Sequence, residues 1–541
     1  MPKRFKILAD WVQSGSNFEK GENTWVARLF WWESTLRRMV RQLWRGPTTR
    51  DTGLLKRNDL RSLPRRICQK TYRSVLSHVE IPLPETGLRY TRFPDASPHK
   101  GLWAGAGINS ARVSMTATET LTSNERVLGA DPLVELRESQ GVEGQDGYVP
   151  EQPGGIGEED MVVLVLPYIK TAREGVLRLG ELLQKYGTYE MNGIGFADND
   201  DVWWLETVGG HHWLARRLPE ECYAVIANQF SLDDFDFEDA LGEGRDYLCS
   251  PDLREFVADN HLDTAQTDGQ PVQRFNPRLA FGSRSDSDHT YNTPRVWALQ
   301  RFLNPTDASR FGFQGDSRPD SDDLDWCLIP ERLITMEDVK YTQSYHYQGT
   351  PFNPYARAEQ ARIGGADQRG MYRPIGINRT NFVAALQIRP DKPATTTGLN
   401  WIAYGAMPFN ALVPFYANVR HTPEYLEATT ERVTTENHYW ANRIIAALVD
   451  AHYHQTIPHV ERYQQKVVAA ALQVVARTDR AVAELGEDAA NNMEDSRVYE
   501  LLEAANAEIA DMLKRETDDL LDKVLFDASL NMHNSFSRDD A

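Results

Sequence analysis

Between residues 193 and 228 the chain makes four short strand-like runs, 193–197, 202–207, 211–217 and 222–228, broken only by Asp198-Asn199-Asp200, Val208-Gly209-Gly210 and Leu218-Pro219-Glu220. Breaks this short join only antiparallel neighbours, because a parallel crossover needs a dozen or more residues. The stretch therefore predicts an antiparallel meander. Just upstream, 158–186 carries Met161, Leu164, Val165, Tyr168, Ile169, Ala172, Val176 and Leu179 at three- and four-residue spacing, a helical period. Pro167 is placed to kink or restart that helix. Helix followed by antiparallel strands predicts an α+β fold.

From Tyr72 to about Thr430 short apolar runs alternate with Gly, Pro, Asn and Asp, and 141–157 and 259–288 read as exposed loops. After about Thr430 the period becomes helical, with Leu502, Ala505, Ile509, Met512, Leu513, Leu520, Leu521 and Val524 as a packing stripe rather than a cofactor box. Pro458 is expected to interrupt an earlier helical run there.

The net charge of −19 is unevenly spread. Residues 1–70 hold 16 Lys and Arg against 6 Asp and Glu, a net +10, so the remainder carries −29. An acidic body repels nucleic-acid phosphate and anionic lipid, so neither nucleic acid nor membrane is expected as its partner. No run approaches the roughly 18–20 apolar residues of a membrane span. The N-terminus lacks an apolar signal core with a small-residue cleavage site, and a cytoplasmic location is expected. Cys68, Cys222, Cys249 and Cys327 lie far apart with no CxxC pair, and read as reduced structural thiols rather than a disulfide framework or zinc site.

His211 and His212 start a predicted strand, where neighbours point to opposite faces. Without an HExxH-like spacing they read as structural histidines rather than zinc ligands. Glu158, Glu159 and Asp160 open the predicted helix and read as capping charges favoured by its dipole. Gly154-Gly155-Ile156-Gly157 lacks the Lys-Ser/Thr of a phosphate loop and precedes those acids, so nucleotide binding is discarded. Asn228 ends the apolar run Tyr223-Ala224-Val225-Ile226-Ala227. Its amide either projects from a sheet edge toward a cleft or forms a turn, and the residues alone do not separate the two. Arg295, flanked by apolar residues, begins a predicted helix, where composition alone favours a surface salt bridge.

Several motifs in order carry a resemblance. These are the run from Tyr72 to Glu80, Met115-Thr116-Ala117-Thr118-Glu119-Thr120, Asn124-Glu125-Arg126-Val127-Leu128-Gly129-Ala130-Asp131-Pro132, Gly187-Thr188-Tyr189-Glu190, Trp203-Trp204-Leu205-Glu206-Thr207 and Gly209-Gly210-His211-His212-Trp213. Over roughly residues 70 to 535 the chain resembles the N-terminal-nucleophile cysteine dipeptidases, the bacterial dipeptidases related to the secernins. The resemblance implies a four-layer αββα sandwich with a helical C-terminal region, short unblocked peptides as substrates, and no metal or organic cofactor. It also implies a nucleophilic N-terminal Cys whose own α-amine, of pKa about 7.7–8, takes the thiol proton. Asn228 looks similar to the strand-end Asn that the wider penicillin acylase and bile-salt hydrolase group uses near the oxyanion, and Arg295 to that group's late Arg. Thr118 and Glu119 fall near a third supporting position. Homo-oligomerisation is left open.

The family's opening pattern, Cys-Thr-Thr-Ile-Leu-Val-Gly-Lys followed by Asp-Gly-Ser-Thr and Ala-Arg, is absent. Shifting each codon back by one base forces part of it and permits much of the rest. Trp31, Trp32 and Glu33 are then forced to Leu, Val and Gly by their preceding residues, and Val40 is forced to Gly. At the same offset Trp25 permits Met, Ala27 permits Cys, Ser34 permits Lys and Met39 permits Asp. Arg41 and Gln42 permit Ser and Thr, and Arg45 and Gly46 permit Ala and Arg. The codons of Gln69-Lys70 can form an adenine run, where a one-base error restores the frame at Thr71.

The expected organisation is a frameshifted segment at 1–70 standing off the body, a hydrolase body at 71–430, and a helical region at 431–541. The expected activity is that of a dipeptidase, lost in this chain because the nucleophile codon overlaps Ala27. The alternatives are a catalytically dead peptide-binding or structural relative, or an amidase acting on non-peptide amides.

Overall fold

The structure, a computed structural model, describes residues 60–63, 70–94, 103–116, 119–265, 274–312, 315–378, 380–427 and 429–532. Its largest sheet is assembled in chain order. Strands β1 (Arg61–Leu63), β2 (Tyr90–Arg92), β3 (Ala106–Asn109), β4 (Ser114–Thr116), β5 (Asn192–Ala197), β6 (Val202–Val208), β7 (His212–Arg217) and β8 (Tyr247–Cys249) lie side by side in that sequence. Every ladder is antiparallel, and Glu119–Thr120 adds a short pairing on β5.

Three of the four predicted meander runs are β5, β6 and β7. The fourth is corrected. After β7 the chain turns at Pro219, whose carbonyl accepts from the Cys222 amide, and β8 takes the place beside β7. Of 222–228 only Tyr223–Ala224 is a strand, and it pairs with Cys327–Leu328 in a separate ladder.

Both faces of the large sheet are covered, which is why β6 is buried along its whole length rather than alternating with polar residues. Trp203 and Leu205 pack with α1 (Glu158–Val165) and α2 (Ala172–Tyr186). Val202, Trp204 and Val208 pack instead with Phe230, Phe235 and Trp326. The predicted break at Pro167 is present as a one-turn 3₁₀ segment, Leu166–Tyr168. Helix α2 restarts at Thr171, whose hydroxyl oxygen accepts from the Glu174 amide as an N-cap.

A second antiparallel sheet follows helix α3 (Thr293–Leu303): β9 (Phe382–Ile388), β10 (Gly398–Tyr404) and β11 (Val413–Tyr416). Strand β9 lies against β3 and β4. The C-terminal region is helical, as expected, in α4 (His438–Ala451), α5 (Tyr453–Glu484) and α6 (Ser496–Leu530). Helices α5 and α6 pack on β11, and α4 on β10. One core runs from Phe93 and Ile108 through β9 to β11 and on to Leu502 and Ile509, so these helices share a core with the second sheet. Of the predicted stripe, all but Leu521 is fully buried. The expected interruption at Pro458 is corrected: the proline sits inside α5, and the chain breaks earlier, at His452.

Two further expectations are revised. Residues 60–63 do not stand off the body, because Leu60 is buried, its amide donates to the Leu426 carbonyl, and β1 pairs with β2. Residues 1–59 and 64–69, with the head tryptophans, Ala27 and Cys68, lie outside the described residues, as do 95–102 and Thr118. The 259–288 stretch holds a short helix, Pro277–Phe281, its 266–273 segment lying outside the described residues. Among the described residues no helix is long and apolar enough to cross a membrane.

Candidate active site

Asn228 and Arg295 meet. Helix α3 starts with Thr293-Pro294, proline being suited to a first helical turn where its missing N–H costs nothing. That start directs Arg295 inward, where it is only 6% exposed, so the surface salt bridge favoured by composition is corrected. Arg295 Nη2 donates to Asn228 Oδ1 (2.7 Å) and to Asn292 Oδ1 (2.8 Å), while its Nε donates to the Tyr291 carbonyl.

Asn292 occupies the N-cap position of α3 but does not cap it. Its side chain is committed elsewhere: Nδ2 donates to Asp288 Oδ1 at 2.6 Å and to the Asn228 carbonyl at 3.3 Å. Asp288 is buried, and its Oδ2 accepts from Ser283 Oγ (2.7 Å), Ser285 N (2.9 Å) and Ser285 Oγ (2.9 Å). A carboxylate accepts only and a guanidinium donates only. These two ends therefore fix both amides: Asn292 turns Nδ2 to Asp288 and Oδ1 to Arg295, and Asn228 turns Oδ1 to Arg295 and Nδ2 away from it. Sequence reasoning missed Asn292 and Asp288. The available signal was the Asn-Thr-Pro start of a helix, which ordinarily marks a simple cap.

The loop before Asn228 alternates in burial, with Val225, Ala227 and Gln229 buried between the less buried Ala224, Ile226 and Asn228. The buried set lines a small cleft with Ser231, Thr293 and Trp326.

Glu119 is tied to this region through the sheet. It pairs with Gly193, which pairs with Glu206 on β6, placing the three backbones in one transverse row. Glu206 is fully buried, and its Oε1 accepts from Trp204 Nε1 (3.0 Å), Ser231 N (2.8 Å) and Ser231 Oγ (2.6 Å), three residues beyond Asn228. Burial raises its carboxyl above the usual range, against the hydrogen bonds from Ser231 and Trp204. The segment after Glu119–Thr120 runs beside the approach to Asp288: Asn124 N donates to the Phe281 carbonyl, and Ser283 N to that of Thr122.

His211 and His212 do not point to opposite faces. Gly209 takes a left-handed turn (φ 58°), which leaves His211 outside β7 and lets both rings reach one carboxylate. Asp131 Oδ1 lies 3.0 Å from His211 Nδ1, and Oδ2 lies 2.7 Å from His212 Nδ1. Burial opposes ionisation of Asp131, but hydrogen bonds from His212, His211 and the His211 amide hold its pKa at about 2.

Two of the three acids at the start of α1, Glu159 and Asp160, are more than capping charges. Asp160 Oδ2 does accept from the Gly157 amide (3.0 Å), while its Oδ1 accepts from Tyr72 Oη (2.6 Å). Glu159 accepts from Tyr189 Oη (2.6 Å) and Ser74 Oγ (3.2 Å). Burial pushes Asp160 up to about 6 and, together with the charge of Asp160, raises Glu159 further above its ordinary range.

Comparison with known proteins gives this geometry its context. The sequence profile of Peptidase family C69 matches residues 56–466. A protein named Dipeptidase from Bifidobacterium longum (strain NCC 2705) is 51% identical over 501 residues, covering 87% of this chain and 91% of that protein. Probable dipeptidase A of Streptococcus pyogenes serotype M3 (strain SSI-1) is 46% identical over 469 residues, with 87% and 90% covered. Dipeptidase A of Lactobacillus helveticus is 37% identical over 459 residues, with 84% and 87% covered.

Proposed function

We propose that this chain, which belongs to peptidase family C69 and is by that membership a hydrolytic enzyme of the dipeptidase type, acts on short unblocked peptides at the hydrogen-bonded pair Asn228 and Arg295. The family match over 56–466 carries this assignment. In this mechanism a thiol attacks the scissile carbonyl, and negative charge develops on its oxygen in the tetrahedral intermediate. A preorganised amide donor aimed at that oxygen lowers the barrier. Asn228 Nδ2, turned away from Arg295, is that donor, and Arg295 holds the amide in place. Glu119, with Thr118, supports the site from the adjoining segment. Neither a metal nor an organic cofactor is called for.

The architecture we assign is the four-layer αββα sandwich of N-terminal-nucleophile hydrolases. It is supported by α2 packing on β5 to β7, β9 against β3 and β4, and α5 and α6 against β11. The body spans 71–430 and the helical region 431–541, and 1–70 is the frameshifted segment, whose strand at 61–63 pairs with β2. We assign the protein to the cytoplasm. Homo-oligomerisation stays open.

The nucleophile is missing because its codon overlaps that of Ala27, whose methyl group offers neither thiol nor lone pair. Cys222, Cys249 and Cys327 are internal and have no α-amine. The chain as it stands is therefore inactive. Resequencing 23–71 and assaying the frame-restored protein on unblocked dipeptides, N-acyl dipeptides and non-peptide amides tests this. Cleavage of unblocked dipeptides is expected. Cleavage of non-peptide amides alone would establish an amidase, and peptide binding without turnover a dead relative.

A further inference from the structure

The small cleft beside Asn228 has the size and the lining of a site for one charged end group. Its volume is about 20 Å³, and about 10–15 Å³ already holds a water molecule, so it admits a group of that size, such as an ammonium, and not an acyl group. Ala227 and Gln229, on either side of Asn228, line it together with Thr293 at the start of α3. The loop that brings Ser321 and Asp322 to the cleft is docked on α3, with Thr293 Oγ1 donating to the Pro319 carbonyl (2.6 Å) and Trp297 Nε1 to that of Ser317 (3.1 Å).

Two acceptors in the lining are left with capacity to spare. Gln229 is 8% exposed, and its Oε1 is buried with no hydrogen-bond donor among the described residues. A buried acceptor left unpaired is costly, so this one calls for a donor. Asp322 is partly buried, and among the described residues its carboxylate hydrogen-bonds only with His289, Oδ1 to Nε2 at 2.9 Å. His289 belongs to the helical turn Asp288–Tyr291, whose Asp288 anchors Asn292 and, through it, Arg295. The other charges around the cleft are engaged: Asp325 pairs with Arg310, while Arg278 donates to the Leu324 carbonyl and lies 4.0 Å from Asp233.

We propose that Asp322, together with Gln229 Oε1, receives the free α-ammonium of the peptide and so selects unblocked substrates, an inference that rests on the dipeptidase reading above. An ammonium offers three donors and no acceptor, which suits a carboxylate oxygen and an amide oxygen. Acylating the peptide removes that charge and adds a carbonyl for which the cleft has no room, so the blocked peptide is rejected by an unpaired carboxylate as well as by size.

Calorimetric titration of the purified full chain with alanylalanine and with N-acetyl-alanylalanine tests the proposal, because a chain without its nucleophile binds peptide without cleaving it. Alanylalanine is expected to bind more tightly. Asp322→Asn, which keeps an acceptor for His289, should lose about 10–100-fold in affinity for alanylalanine, the worth of a hydrogen bond to a charged group, with the N-acetyl peptide unaffected. Asp322→Glu, which keeps the charge, should retain the preference for the unblocked peptide. Equal affinity of the parent for the two peptides, an undiminished affinity of Asp322→Asn for alanylalanine, an equal loss for both peptides, or loss of the preference in Asp322→Glu would each overturn it. Binding of neither peptide by the parent would overturn the dipeptidase reading itself, and the proposal with it.

Discussion

Arg295 donates from Nη2 to Asn228 Oδ1 over 2.7 Å, joining residues 67 positions apart in the chain. The contact dictates which end of the Asn228 amide faces outward, because a guanidinium has no acceptor to offer an NH₂ group. In the frame-restored enzyme, Asn228→Ala should lower kcat by about 10²–10³-fold with little change in KM, the loss expected for one oxyanion donor. Asn228→Asp should fare no better, since a carboxylate repels the developing oxyanion. Steady-state kinetics on one dipeptide check both.

The chain as it stands should show no dipeptidase activity. Restoring the frame between Trp25 and Lys70, with removal of the residues preceding the new Cys, should create it. Replacing that Cys by Ala should abolish activity, and Ser should leave a trace, because a hydroxyl is much harder to deprotonate than a thiol near pH 7. Activity in the unrepaired protein that survives thiol alkylation would falsify the nucleophile assignment.

Asp288 supports Arg295 only through Asn292, so its loss should register first in stability. Asp288→Ala removes the acceptor for Ser283, Ser285 and Asn292 in a buried setting. The expected cost is about 1–3 kcal/mol from unsatisfied buried donors, measured by urea unfolding. An unchanged unfolding midpoint would remove Asp288 from the network.

Asp131 should mark the acid side of the stability curve. Its folded pKa of about 2 lies below the ordinary 3.8, so the stabilisation it brings is present above 3.8 and is lost as pH falls through 2. Asp131→Asn should destabilise the protein near neutral pH, and the gap from the parent should close as pH drops from about 4 to about 2. Chemical unfolding across that range reads the gap directly.

Gly193 tests the packing of β5 on β6. A Cβ at this position would lie 2.1 Å from the Trp204 ring, so Gly193→Ala should cost about 1–3 kcal/mol, as overpacking does, seen as a lowered melting temperature.

Much of the scaffold was legible from local pattern. The periods of α1, α2 and α6, the restart at Pro167, and strands β5 to β7 are carried by spacing that a strand or helix reads within a few residues. Pro458 was misjudged because a proline placed early in a long helix forfeits one backbone bond while the packing of α5 holds the rest. The run 222–228 departs from the expected strand because, beyond the two-residue ladder of Tyr223–Ala224, its apolar residues are satisfied by cleft and core contacts.

At the candidate site the division is sharper. Sequence alone, through the family resemblance, pointed to an amide at 228 and a cation at 295, and, through the codons at 31–33 and 40, to a displaced nucleophile segment before them. It left Asn228 undecided between turn and site, and placed Arg295 on the surface. Only the tertiary structure decided that Arg295 is buried and that it meets Asn228, because hydrogen-bond polarity and burial are properties of groups brought together across the chain: Asp288, Asn292 and Arg295 orient the Asn228 amide by donor and acceptor matching that no local spacing encodes.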